Sequence, residues 1–80
     1  MKDIQINLNT IEKVKKFVGE ITKTPCDCDI VSESSRYIID AKSIMGIFSL
    51  DLSKTLTLKI HTEDPAMIAA VEENIAEFKV

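Results

Sequence analysis

The sequence predicts an α+β fold, a four-stranded, mostly antiparallel sheet with three helices packed on one face and the other face open to water. Three observations lead there. Apolar residues alternate with polar ones over four short stretches, the period-two signature of strands with one wet side. Apolar residues recur at three- and four-residue spacing in the helical stretches, and the two longer ones each carry a single apolar stripe. The elements follow the order strand, helix, strand, strand, helix, strand, helix. Elements that are apolar on one side only are satisfied by two layers, a sheet and the helices that cover it.

Residues 2–8 form the first strand, with Ile4, Ile6 and Leu8 on one face and Gln5 and Asn7 on the other. Asn9-Thr10-Ile11-Glu12 reads as a capping box, in which Asn9 accepts from the amide of residue 12 and Glu12 reaches back to the amide of residue 9. The helix behind it covers residues 10–23, with a stripe of Ile11, Val14, Phe17 or Val18, and Ile21. Gly19 either weakens that helix by about 1 kcal/mol relative to Ala or marks close packing. Thr24-Pro25 ends it, because the residue before proline is driven out of the α region. Cys26, Cys28 and Ile30 alternate with Asp27 and Asp29 as a second strand. Ser32-Glu33-Ser34-Ser35 is a polar turn; without glycine, it predicts a loop longer than two residues. Tyr37, Ile39 and Ala41 share a parity and make the third strand, and residues 43–50 a short, strongly apolar helix. The cleanest strand is 55–62, with Leu56, Leu58 and Ile60 pointing one way and Thr57, Lys59 and His61 the other. Asp64 caps the last helix and Pro65 takes its first position. Ile68, Val71, Ile75 and Phe78 form its stripe, with Glu72, Glu73 and Glu77 mostly off it.

Length and composition narrow the function. Eighty residues predict a single domain over residues 1–80, and a domain of this size buries only about 60% of its unfolded surface. A net charge of −3 leaves no basic footprint for nucleic acid. No window approaches the roughly 18 apolar residues of a membrane span. The patterned strand starts at once, leaving no room for a signal peptide, so a cytoplasmic setting is expected. Cys26 and Cys28 are too few and too close for a disulfide framework and are expected as free thiols. They also lack the further Cys or His ligands of a zinc site, so they read as two small buried hydrophobes and no metal or cofactor is expected.

The element order, together with "KSIMGIFSL" at residues 42–50, resembles the HPr family, the small phosphocarrier proteins of the bacterial sugar phosphotransferase system. Lys42-Ser43-Ile44-Met45-Gly46 matches the family's regulatory-serine motif, and the likeness of element order covers nearly the whole chain. The resemblance implies an HPr-like open-faced sandwich. Active members of the family carry a phosphorylated histidine at the start of the first helix, in a Gly-Ile-His-Ala-Arg-Pro stretch. With the spacing back from Ser43 preserved, Glu12 stands at the histidine position here, Val14 at the arginine and Lys15 at the proline. The chain contains one histidine, His61. The resemblance therefore implies a degenerate member: not an enzyme, but a regulatory or protein-binding module related to the phosphotransferase system. Its partners would be components of that system, a serine kinase or a regulator, with neither nucleic acid nor membrane. A homodimer through the exposed sheet edge is the further partner to consider. The alternatives are a working phosphocarrier whose acceptor has moved to His61 or a carboxylate, and a small structural or assembly domain.

Each candidate residue has a plain role beside the sharper one. Glu12 serves the capping box and the helix dipole, or imitates a phosphohistidine with its fixed charge. Ser43 is a good helix N-cap and, by resemblance, a regulatory phosphosite; a phosphate there would meet free amides, with Lys42 beside it. Ile44, Met45, Ile47 and Phe48 are the candidate partner-binding surface, because a two-turn helix cannot bury so many apolar side chains. His61 is expected on the wet side of its strand as a solvated residue. Lys13, Lys15, Lys16 and Lys23 give the first helix a basic face, most simply a solvated one.

Overall fold

A computed structural model describes residues 2–32 and 37–80. The predicted turn at 32–35 lies outside the described residues apart from Ser32. The elements are β1 (Lys2–Ile6), α1 (Ile11–Ile21), β2 (Asp27–Ser32), β3 (Ile38–Asp40), α2 (Ile44–Phe48), β4 (Leu56–His61) and α3 (Pro65–Asn74), followed by a 3-10 turn at Ala76–Phe78. The strands form one sheet in the order β1-β4-β2-β3, and every neighbouring pair is antiparallel.

That order makes β1 parallel to β2 with β4 between them, and β3 parallel to β4 with β2 between them. Helices α1 and α2 are therefore the crossovers of two split β-α-β units. The units are related by a half-turn about the sheet normal, so a common handedness places both helices on one face. The core lies between that face and the helices. Ile4, Ile6, Leu8, Cys28, Ile30, Leu56, Leu58 and Ile60 come from the sheet side, and Val14, Phe17, Ile21, Ile47, Val71, Ile75 and Phe78 from the helical side. Phe17 and Phe78 meet edge to face with ring centroids 5.5 Å apart, a favoured aromatic arrangement. The last residues run along β1: the Asn7 amide donates to the Phe78 carbonyl at 2.8 Å and the Val80 amide to Gln5 at 3.1 Å. That backbone pairing covers the outer edge of β1 and leaves β3 as the other margin.

The start of α1 differs from expectation by one residue. Thr10, not Asn9, is the N-cap, and its hydroxyl accepts from the Lys13 amide at 3.1 Å. The Asn9 amide is already turned back to the Asn7 side chain at 3.1 Å, which, with Leu8 anchored in the core, commits Asn9 to the incoming loop. Glu12 then sits at the second helical position, so the Asn9–Glu12 capping box does not form. Ile11 leaves the predicted stripe for solvent, 58% exposed, while Val14, Phe17 and Ile21 are buried. Tyr37 likewise falls outside β3 and is exposed. The Asp64 cap, accepting from Ala66 at 3.0 Å, and Pro65 at the helix start are as expected.

Gly19 separates its two readings. A Cβ there would meet nothing within 4 Å, and its φ is not positive. Gly19→Ala is expected to stabilise the protein by about 1 kcal/mol, seen as a higher thermal midpoint by circular dichroism. An unchanged or lower midpoint would show that the glycine serves packing.

Candidate functional site: the α1–α2 surface

Helix α2 has only five residues and depends on tertiary support more than on its own hydrogen bonds. Ser43 starts it, as predicted: its hydroxyl accepts from the Gly46 amide at 3.2 Å, a cap worth about 1 kcal/mol. The Nζ of Lys42 donates to the Thr24 carbonyl at 2.9 Å, tying the start of α2 to the segment that follows α1. After the helix, the Ser53 hydroxyl and amide donate to Asp51 Oδ1 at 2.6 and 3.1 Å. They hold the Asp51 carboxyl below the usual range. Their stabilisation is present at neutral pH and lost as acid protonates the carboxyl.

The apolar residues of α2 divide sharply. Ile47 is fully buried, a core residue; its assignment to the partner-binding surface is corrected on that ground. Ile44 is half-buried and packs against the core. Met45 is 78% exposed and Phe48 39%. A helix turns about 100° per residue, so positions 45 and 48 share one face while 44 and 47 share the one that meets the sheet. At Gly46 the helix packs closely against β3. A Cβ there would lie 2.5 Å from the Ile39 Cγ2 methyl.

Helices α1 and α2 touch. Glu12 is exposed in the first turn of α1, next to the exposed Ile11. Sequence reasoning placed Ile11 in the buried stripe; the shift of the cap to Thr10 is the signal that would have moved it outward. Of the basic face, Lys16 pairs with Glu77 at 3.0 Å and Lys23 with Glu20 at 3.4 Å, both exposed pairs worth little individually.

His61 lies across the sheet from this surface. Its strand neighbour Ile60 enters the core, so His61 faces the open side. It is not merely solvated: Nε2 lies 2.6 Å from Asp29 Oδ2. With Asp27, Cys28, Asp29 and Asp40 it lines a shallow depression of about 330 Å³. The strand register explains the cluster, since Asp27 is opposite His61, and Asp29 is opposite Asp40 on one side and Lys59 on the other. Lys59 leans away to Asp3 at 3.1 Å, leaving His61 as the side chain that reaches Asp29. The thiols sit on the core side of the same strand. Cys28 is buried and Cys26 half-buried, and both are free. Burial first, and the neighbouring Cys26 thiol second, push the Cys28 thiol up to about 12. Among the described residues, no helix is long and apolar enough to cross a membrane.

Residues 12–78 match the family model described as the PTS HPr component phosphorylation site. Among solved structures, the chain is similar to HPr-C-His from Thermoanaerobacter tengcongensis, with a TM-score of 0.71 and 24% identity, over 96% of this chain and 93% of that one. It is also similar to the phosphocarrier protein HPr from Bacillus anthracis str. Ames, with a TM-score of 0.68 and 26% identity, over 98% of this chain and 94% of that one. No curated protein matches the sequence. The first of these likenesses fixes the fold alone, but the family model runs from the first turn of α1 to the last aromatic of the core, and on that match the chain belongs to the HPr family of phosphotransferase-system phosphocarriers.

Proposed function

We propose that this chain is an HPr-family member without the phosphoacceptor histidine, a cytoplasmic, non-enzymatic module that regulates or binds protein partners of the phosphotransferase system. Its working surface would be the exposed face of α2, Met45 and Phe48 with the rim of Ile44, and Ser43 would be its regulatory phosphosite. Glu12 takes the degenerate active-site position, where its carboxylate favours the helix dipole but supplies no imidazole.

One observation carries the reading. The apolar face stands open on α2, while the chain's one histidine is on the opposite side of the sheet among Asp27, Asp29 and Asp40. A phosphoryl group brings close to two negative charges, which those carboxylates repel. The same cluster argues against a relocated acceptor at His61. A phosphate on Ser43 would meet the first free amides of α2, where the Gly46 amide now donates to the hydroxyl.

The test offers the protein phosphoenolpyruvate and the upstream kinase of the system, then measures acid-labile phosphate by intact-mass spectrometry. No mass gain is expected, with a bona fide phosphocarrier as the positive control. In parallel, Phe48→Asp is expected to weaken binding to a phosphotransferase-system partner by at least about tenfold, with the melting temperature little changed. An acid-labile phosphoryl on His61, or partner binding indifferent to Phe48→Asp, would overturn the reading.

A further inference from the structure

The two margins of the sheet differ. Residues 78–80 pair with β1 at Gln5 and Asn7, whereas nothing among the described residues pairs with the outer side of β3. The register says which backbone groups stand there. Opposed residues in an antiparallel ladder alternate between bonded and unbonded pairs. The Ala41 amide donates to the Cys28 carbonyl at 2.9 Å, so Ile39, two residues earlier and opposite Ile30, also turns its backbone to β2. Ile38 and Asp40 turn theirs outward. The Asp40 carbonyl accepts from the Ser43 amide at 2.9 Å. The amides of both residues and the Ile38 carbonyl remain along a bare edge, a template for another strand.

β3 has only three residues, so a new strand gains few hydrogen bonds and side chains decide which strand fits. Ile39 packs against the core, so Ile38 and Asp40 point to the open face of the sheet. Ile38 is 66% exposed and lies opposite Val31, making a small apolar spot. Asp40 lies opposite Asp29 and lines the depression of the open face with Asp27, Asp29 and His61. β3 stops at Asp40, so Asp27, paired with His61 on one side, has no strand neighbour on the other. The depression lies at the notch this leaves. Among the described residues no lysine or arginine forms an ion pair with Asp27, Asp29 or Asp40.

We propose that the outer edge of β3 takes an extended basic segment of a partner protein as a further strand of the sheet. The partner residue beside Asp40 would be arginine or lysine, and the one two positions away, beside Ile38, apolar. Neighbouring strands lie about 5 Å apart, which puts the basic side chain next to Asp40 with two more carboxylates in the depression behind it. Opposite charges across neighbouring strands stabilise and like charges destabilise. A second copy of this chain, joined edge to edge, would bring a further Asp27, Asp29 and Asp40 to the same face, so charge favours a basic strand over a second copy. Ile38 and Asp40 face the open side of the sheet and Met45 and Phe48 the helical side, so this edge works independently of the α2 surface.

Short blocked peptides are titrated into the isotope-labelled full-length protein and followed by amide NMR. The first, Thr-Arg-Thr-Val-Thr-Arg, is basic and apolar on one side. The second carries Glu for each Arg. The third is the first with its backbone amides methylated, so it keeps its charge and cannot donate to a strand. The basic peptide is expected to shift the Ile38 and Asp40 amide resonances and slow their exchange with solvent. The other two are expected to bind at least about tenfold more weakly. Asp40→Asn keeps an acceptor for the Lys42 amide; combined with Asp27→Asn it is expected to weaken the basic peptide about tenfold at low salt, whereas Phe48→Asp leaves it unchanged. Equal binding of the basic and acidic peptides overturns the proposal. So does equal binding of the basic and methylated peptides, which would show attraction to the carboxylates without strand addition. No shift at Ile38 and Asp40 overturns it too, as does a concentration-dependent dimer that protects these two amides, which would give the edge to a second copy.

Discussion

Ile47→Ala is expected to destabilise the protein by about 2–5 kcal/mol, the range for truncating a fully buried isoleucine. Domains of this kind have about 5–15 kcal/mol in total, so the variant would be partly unfolded at physiological temperature. The reason lies in α2. Five residues cannot hold a helix by backbone hydrogen bonds, and Ile47 is the one α2 side chain with no exposure at all. Removing it leaves a cavity under a helix that has little else to seat it. Met45→Ala, two residues away and 78% exposed, is expected to change stability by no more than about 0.5 kcal/mol. Urea unfolding followed by circular dichroism compares the two directly. Similar costs for both would mean that α2 does not present Met45 and bury Ile47 as described. A cost below about 1 kcal/mol for Ile47→Ala would mean that the site collapses without loss. The pair also protects any binding experiment on this surface, because a loss of affinity in an Ile47 variant reports unfolding, whereas one in a Met45 or Phe48 variant reports contact.

The contrast between Ile47 and Met45 also marks the limit of what the sequence made legible. Period-two alternation identified all four strands, because each turns one face to the core: Leu56, Leu58 and Ile60 are fully buried, whereas Thr57, Lys59 and His61 are not, and in β3 only Ile39 packs against the core. Asp64-Pro65 located the start of α3 and Ser43 that of α2, since each cap is a local interaction among neighbours. In α2 itself nearly every position is apolar, so hydrophobicity carries no phase, and which side chains face inward depends on where β3 lies. The first turn of α1 failed for a related reason. Asn9 and Thr10 are both good caps, and the choice was made by Asn7, whose side chain took the Asn9 amide. The Asp29–His61 contact depends on strand order. Nothing within either strand says that β2 and β4 are neighbours, or that Lys59 will turn to Asp3 instead. The HPr-like plan was legible because a five-residue motif and an element order agreed; the burial of individual side chains at the site was not, because it is a property of the packed layers.

Gly46→Ala is the second substitution with a large expected effect, and its direction opposes local propensity. Alanine in place of glycine within a helix should add about 1 kcal/mol of stability, as is expected at Gly19. At Gly46 the new methyl would stand 2.5 Å from Ile39 Cγ2 and 3.2 Å from the Ser43 hydroxyl. The Ile39 methyl is on a β-branch, with few rotamers to retreat into, so the helix must lift from β3 or the strand must move. Overpacking of that kind costs about 1–3 kcal/mol, and Gly46→Ala is expected to be destabilising by a net amount in that range. Ile39→Leu removes the β-branch and with it the offending methyl. The double variant should therefore be less damaged than the sum of the single changes, with a coupling of at least about 0.5 kcal/mol in the cycle. A stabilising Gly46→Ala, or strictly additive changes, would show that α2 does not rest on β3 through this contact. The height of α2 above the sheet sets how far Met45 and Phe48 project, so the same displacement is expected to reduce partner affinity in Gly46→Ala and restore part of it in the double variant. Stability and recognition are then linked through one missing side chain, at the residue whose Cβ would run into Ile39 of β3.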